Sequence, residues 1–137
     1  MLLFRYNKSE RPSAPYVVIE IAPAGRRRKP TRRRAKLDSG ASLTVIPENL
    51  IKQWHIRPSG AVRVRAYNGY ESMRPIYSVD IIIGSKRYLD IEVTTTQRRN
   101  ILLGRDIMNG LRITLDGTQE VVEIHDKPFH QISPSLI

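Results

Sequence analysis

The chain contains no cysteine, which excludes disulfide scaffolds, cysteine-ligated zinc and thiol catalysis together. Histidine is almost as scarce. His55, His125 and His130 are too scattered to suggest a metal site, and no cofactor is expected. Long apolar runs are missing too. None approaches the roughly 20 residues that span a bilayer, so no membrane partner is expected. Met1-Leu2-Leu3-Phe4 meets Arg5 too soon to form the apolar core of a signal peptide. The expectation from these shortages is a soluble, cytoplasmic protein.

At 137 residues the chain has the size of one domain, with hardly room for two. A single domain over 1–137 is expected, with its core at about 15–124. The flanks 1–14 and 125–137 carry apolar residues: Leu2, Leu3 and Phe4, then Phe129, Ile132, Leu136 and Ile137. Such ends either fold back or pair with another chain, as at a dimer interface; free ends fray. Acids are few. Lys and Arg number 23 against 13 Asp and Glu, a net charge of +10. Seven of the cations fall between Arg26 and Arg34 with no acid among them, which leaves about +3 for the rest. The excess is local. With 40% hydrophobic residues the chain can bury a core and is no disordered basic tail.

Most of the patterning has period two. Strands are expected at Pro15–Ile21, Leu43–Ile46, Val62–Tyr67, Tyr77–Ile83, Tyr88–Val93, Arg112–Leu115 and Glu120–Ile124, with a further apolar strand running into Gly104. Asn68-Gly69 predicts a hairpin with a type I′ turn, and Asp116-Gly117 a second hairpin. The basic stretch reads as a loop, broken by Pro23, Gly25 and Pro30. Two short helices are expected, at Pro47–Trp54 and Arg105–Asn109. About eight short strands at close spacing predict a small all-β barrel or sandwich.

Chemistry concentrates in Asp38-Ser39-Gly40-Ala41, a carboxylate in a turn between two apolar strands. Asp-Ser-Gly is also an ordinary surface turn, because Asp and Ser bond to nearby backbone and Gly tolerates positive φ. A second segment adds weight: Asn100-Ile-Leu-Leu-Gly104-Arg105-Asp106, an apolar strand running straight into glycine and an Arg-led helix. The two occur in this order with the Asn68-Gly69 hairpin between them.

On these motifs the sequence resembles the retropepsin-like aspartic proteases of retroviruses, retrotransposons and their cellular and bacterial relatives, over roughly Pro15 to Ile124. Strand, long basic loop, then catalytic turn looks more like a bacterial or cellular member than a viral one. The resemblance implies an all-β, small closed barrel-like acid-protease fold with one or two short helices, acting as a homodimer. It implies an aspartic endopeptidase, for which two carboxylates ~3 Å apart share one proton. Only Asp38 is followed by Ser-Gly, so one chain holds half a site and Asp38 of each subunit would meet on a two-fold axis.

The roles implied follow from that. Asp38 is the catalytic carboxylate; Ser39 and Gly40 brace the two turns; Ala41 leaves room for substrate backbone. The hairpin with Tyr67, Asn68, Gly69 and Tyr70 is the flap over an extended peptide, although Tyr67 and Tyr70 are equally well ordinary cross-strand aromatics. Gly104, Arg105 and Asp106 form the supporting motif, and Gly104 lets its strand pass close beneath the catalytic turn. Val45, Ile46, Ile76 and Ile83 are candidate pocket residues and equally candidate core. Three features depart from viral members. Ser42 stands where an acid often partners the Arg of the later motif, the flap tip is poor in glycine, and the basic stretch is unusual. A competing reading is a catalytically silent dimeric binding module that uses residues 26–34 for nucleic acid or an acidic partner. The run has no aromatic neighbours, so it offers sequence-independent phosphate contact at most. A solvated loop is the plainer reading, and nucleic acid ranks below a protein or peptide substrate as a partner.

Overall fold

The computed structural model describes residues 1–25 and 29–126. Arg26, Arg27 and Arg28 of the basic run lie outside the described residues, as do Phe129, His130, Ile132, Leu136 and Ile137. The described chain runs β1 (Leu2–Arg5), β2 (Tyr16–Pro23), β3 (Thr31–Leu37), β4 (Val45–Pro47), α1 (Glu48–Trp54), β5 (Gly60–Arg65), β6 (Glu71–Ile83), β7 (Lys86–Thr96), β8 (Ile101–Leu103), α2 (Arg105–Met108), β9 (Arg112–Asp116) and β10 (Val121–His125). Neither described helix is long and apolar enough to cross a membrane.

The larger sheet has the order β2-β3-β8-β4-β7-β6-β5, and an additional β2–β6 pairing closes its first six strands into a barrel. Closure removes the open edges that a sheet of this size would otherwise expose. Inward-facing residues fill the barrel with branched aliphatics, among them Ile19, Ile21, Ile46, Ile81, Ile83 and Leu103, each at most 1% exposed. Each such side chain contributes about 1.5–3 kcal/mol of burial. Leu50, Ile51 and Trp54 put one face of α1 into the same core, as their helical spacing predicts. Ile46, Ile76 and Ile83 are buried, and Val45 is half-buried.

Among the described residues ten strands replace the eight expected, and β1 and β3 are the additions. The basic stretch is not a continuous loop. Thr31–Arg34 open β3, where Ile21 pairs with Thr31, Glu20 with Arg32, Ile19 with Arg33 and Val18 with Arg34. Backbone pairing to the strongly apolar β2 carries the arginines into the sheet, and their side chains stay exposed. The apolar start of the chain pairs with a later strand of the same chain: β1 pairs with β10 and β10 with β9 in a separate three-stranded sheet, with Leu2 opposite Ile124 and Phe4 opposite Val122. Strand β6 begins six residues earlier than its expected start and runs through Pro75. Its first half pairs only with β5, so the missing N–H of Pro75 costs no bond on the other side.

A polar cluster ties the β1–β2 connection to β3. Lys36 Nζ donates to Glu10 Oε1 at 2.7 Å, and Asn100 Nδ2 donates to the Tyr16 hydroxyl at 2.8 Å. The Lys36 ammonium holds the Glu10 carboxyl below its ordinary value near 4.5. A depressed folded-state pKa gives stability that is fully present above the unfolded value and lost as pH falls through the folded one. Wild type is therefore expected to lose thermal stability below about pH 4.5 more steeply than Glu10→Gln. Melting curves from pH 3 to pH 7 check this, and parallel acid limbs would refute it.

Candidate active site

Strands β3 and β8 lie side by side and parallel, Ala35 opposite Ile101 and Leu37 opposite Leu103. Parallel neighbours require a crossover, and here residues 38–100, which include the flap hairpin, make it. Both strands end at the same edge of the barrel. There β3 passes into Asp38-Ser39-Gly40 and β8 passes through Gly104 into α2. The Asp38 N–H donates to the Leu103 carbonyl at 2.9 Å, extending the ladder by one bond into the turn.

The turn is fixed by its own backbone. Gly40 N–H donates to Asp38 Oδ1 at 2.9 Å, and Ala41 N–H to the Asp38 carbonyl at 3.2 Å. Asp38 is half-buried, whereas Ser39 and Gly40 are exposed. No other partner holds the Asp38 carboxylate among the described residues, so Oδ2 is left for solvent or substrate.

Beneath the turn the second motif is stitched to the first. Arg105 N–H donates to the Ala41 carbonyl at 2.9 Å, and Arg105 Nη1 to the Ser39 carbonyl at 2.7 Å. The guanidinium thus reaches backbone of the Asp38 turn, which answers the lack of an acid at Ser42. Gly104 passes so close that an added Cβ would lie 2.7 Å from the Leu43 carbonyl carbon and 2.9 Å from the Ala41 oxygen. That is well inside contact distance, so only glycine fits.

Thr44, singled out by no sequence signal, is the fully buried hinge of this region. Its hydroxyl donates to Asp106 Oδ1 at 2.8 Å and accepts from Gly104 N–H at 3.2 Å. Its backbone N–H donates to Asp106 Oδ2 at 3.0 Å. Asp106 therefore grips Thr44 with both oxygens, and Oδ1 also accepts from Ile107 N–H at 2.9 Å. Thr44→Val keeps the shape and leaves a buried N–H and a carboxylate oxygen short of a partner, so a loss of about 2 kcal/mol is expected. Urea denaturation checks this; a change under about 0.5 kcal/mol would be the contrary result.

The hairpin expected to act as the flap is formed by β5 and β6, with Arg65 opposite Glu71. Its turn is not type I′. Gly69 N–H donates to the Ala66 carbonyl at 2.9 Å, and Ala66 N–H to the Tyr70 carbonyl at 2.7 Å. Of the Asn68-Gly69 pair only Gly69 has positive φ, +85°. Tyr67 and Asn68 are thus the central turn residues and Gly69 takes the left-handed position after them, the three-residue hairpin solution. The Asn68 side chain accepts from Tyr70 N–H at 3.2 Å. Tyr67 and Tyr70 stand out in solvent.

The model of the family described as "gag-polyprotein putative aspartyl protease" matches residues 29–110, which include both motifs and the flap. A search of curated proteins finds no match. Among solved structures, a retropepsin-like aspartic protease from Rickettsia conorii superposes with a TM-score of 0.63 at 13% identity, covering 90% of this chain and 88% of that one. The simian foamy virus protease gives 0.53 at 23% identity, covering 69% and 92%. The EIAV protease complexed with the inhibitor HBY-793 gives 0.55 at 17% identity, covering 78% and 93%. At these identities the structural likeness establishes the fold, and the family match spans more than half of the sequence. This chain belongs to the gag-type aspartyl protease family and has the retropepsin-like fold.

Proposed function

We propose that the protein is a homodimeric aspartic endopeptidase whose active site is assembled from one Asp38 of each subunit. The observation that carries this reading is a single carboxylate held by one oxygen at a braced, solvent-facing turn. One such group cannot do the chemistry alone. Peptide hydrolysis by carboxylates needs a base to take a proton from water and an acid to protonate the scissile carbonyl. Two adjacent aspartates provide both, because like charges ~3 Å apart cannot both ionise and so share one proton. Attack of the activated water gives a tetrahedral diol. Proton return to the leaving nitrogen then breaks the C–N bond.

The surrounding residues fit supporting tasks. Gly40 N–H fixes the rotamer of Asp38, and Arg105 steadies the turn through the Ser39 carbonyl. The small Ala41 leaves room for substrate backbone. Tyr67 and Tyr70 at the flap tip are free to close over an extended peptide, which would be read by main-chain hydrogen bonds and alternate side-chain pockets.

Assembly from two subunits makes activity depend on concentration. Cleavage of a denatured protein at mildly acid pH, normalised per mole of chain, is expected to rise with protein concentration and level off where sedimentation shows the dimer complete. Constant activity per mole in a sample that sediments as a monomer would overturn the reading.

A further inference from the structure

Asparagine followed by glycine occurs twice, at Asn68-Gly69 and at Asn109-Gly110. Asparagine is a thermolabile side chain, and a following glycine leaves the next backbone nitrogen unshielded, because no Cβ stands beside it. The two copies sit in different surroundings. Asn68 and Gly69 form the tip of the β5–β6 hairpin, exposed and flanked by the exposed Tyr67 and Tyr70. No atom lies within 4 Å of where a Gly69 Cβ would stand. Asn68 Oδ1 accepts from Tyr70 N–H at 3.2 Å. That bond closes a ring through Gly69 N, so the side-chain carbonyl folds toward the following backbone, and the donor draws electron density from Cγ. The Gly69 N–H is tied back by its 2.9 Å bond to the Ala66 carbonyl. This bond lies at an exposed hairpin end, where local opening costs least. Gly110 is pinned instead. Its N–H donates to the Ile107 carbonyl at 3.0 Å, its carbonyl accepts from Lys86 Nζ, and an added Cβ would meet the Tyr88 hydroxyl at 2.9 Å.

We propose that Asn68 is a self-modification site: the chain's own backbone converts it to aspartate and isoaspartate, and the conversion disables the hairpin as a flap. The Gly69 nitrogen loses its proton and attacks Asn68 Cγ. The new C–N bond closes a succinimide ring, and the side-chain nitrogen leaves as ammonia. Water then opens the ring at either carbonyl, giving a carboxylate on a normal or an isomerised backbone. No reagent beyond water is consumed. Both products place a new negative charge at the hairpin tip, three residues from Glu71. Isoaspartate also routes the main chain through Cβ and lengthens it by one carbon. The turn of Tyr67, Asn68 and left-handed Gly69 cannot keep its bonds with that insertion. The loss of activity rests on the flap role proposed above; the modification itself does not.

The test is ageing of the full folded chain at mildly alkaline pH, with peptide mapping by mass spectrometry at intervals. The mass change from amide to acid is expected at Asn68 at least about 10-fold faster than at Asn109, because only the first site opens without disturbing packed structure. In concentrated urea the two sites should convert at similar rates, since each is then a plain Asn-Gly pair. Conversion of Asn109 as fast as Asn68 in the folded protein, or no conversion at Asn68, would overturn the site. Cleavage of a denatured protein by the same aged samples reads the consequence. Wild-type activity is expected to fall in step with the fraction converted, while Asn68→Gln, compared with its own starting activity, holds its level. Full activity in a sample whose Asn68 is mostly converted would overturn the disabling of the flap. A fresh wild-type sample without activity would overturn the peptidase reading and leave the modification to the mass data.

Discussion

Asp38→Asn is expected to abolish cleavage, lowering kcat/KM by about 10³-fold or more while the fold and the dimer persist. Asparagine has the shape of aspartate, and its amide oxygen can still accept the Gly40 N–H that fixes Asp38 Oδ1. The turn should therefore survive. What is lost is the ability to take and share a proton, since the amide neither ionises in this range nor shuttles hydrogen between water and carbonyl. In a symmetric dimer both catalytic groups are replaced at once, which removes base and acid together. Steady-state kinetics on a peptide library measures the loss, and an unchanged melting temperature shows that the lesion is chemical. Cleavage by Asp38→Asn at the wild-type rate would exclude the carboxylate mechanism.

Gly104→Ala is expected to destabilise the fold by about 3 kcal/mol, a large part of the 5–15 kcal/mol typical of a domain. The added methyl would meet the Leu43 carbonyl carbon at 2.7 Å, its oxygen at 2.8 Å and the Ala41 oxygen at 2.9 Å. These are backbone atoms held by the Thr44 and Arg105 hydrogen bonds, so the usual relief of an overpacked core, rotation of a side chain, is not available. The strand must move away from the catalytic turn. A fall in melting temperature of roughly 10 °C is expected, with activity lost even below the melt because the Asp38 N–H donates to the carbonyl of Leu103, one residue before Gly104. A melting temperature within about 2 °C of wild type would contradict the close approach.

What the sequence disclosed was chiefly local. The period-two runs marked most of the barrel strands, and the spacing of Leu50, Ile51 and Trp54 marked the buried face of α1. The Asp-Ser-Gly-Ala and Gly-Arg-Asp motifs were legible as a pair, and the structure brings them together at the ends of β3 and β8. What escaped was set by partners far along the chain. The pairing of β1 with β10 joins residues more than a hundred positions apart, and Leu2-Leu3-Phe4 carries no sign of which strand will receive it. Arginines 32–34 read as loop by composition, yet β2 supplies backbone partners for them. Thr44 looked like one more β-branched residue. Its hold on Asp106, 62 residues away, exists only once the barrel closes. The hairpin turn departs from the expected type for a subtler reason. Asn-Gly fits type I′, but here the glycine serves the left-handed position after a turn begun one residue earlier.

The claim that one chain holds half an active site is tested most directly by subunit mixing. Wild type and Asp38→Asn are combined in equal amounts, allowed to exchange subunits, and assayed well above the concentration at which dimers dissociate. Random pairing places about half of the wild-type chains in mixed dimers, which should be inactive, so the mixture is expected to retain about half of the activity of the same wild-type protein assayed alone. Full activity in a mixture whose mixed dimers are seen by native mass spectrometry would contradict the account, because each chain would then carry a complete site of its own.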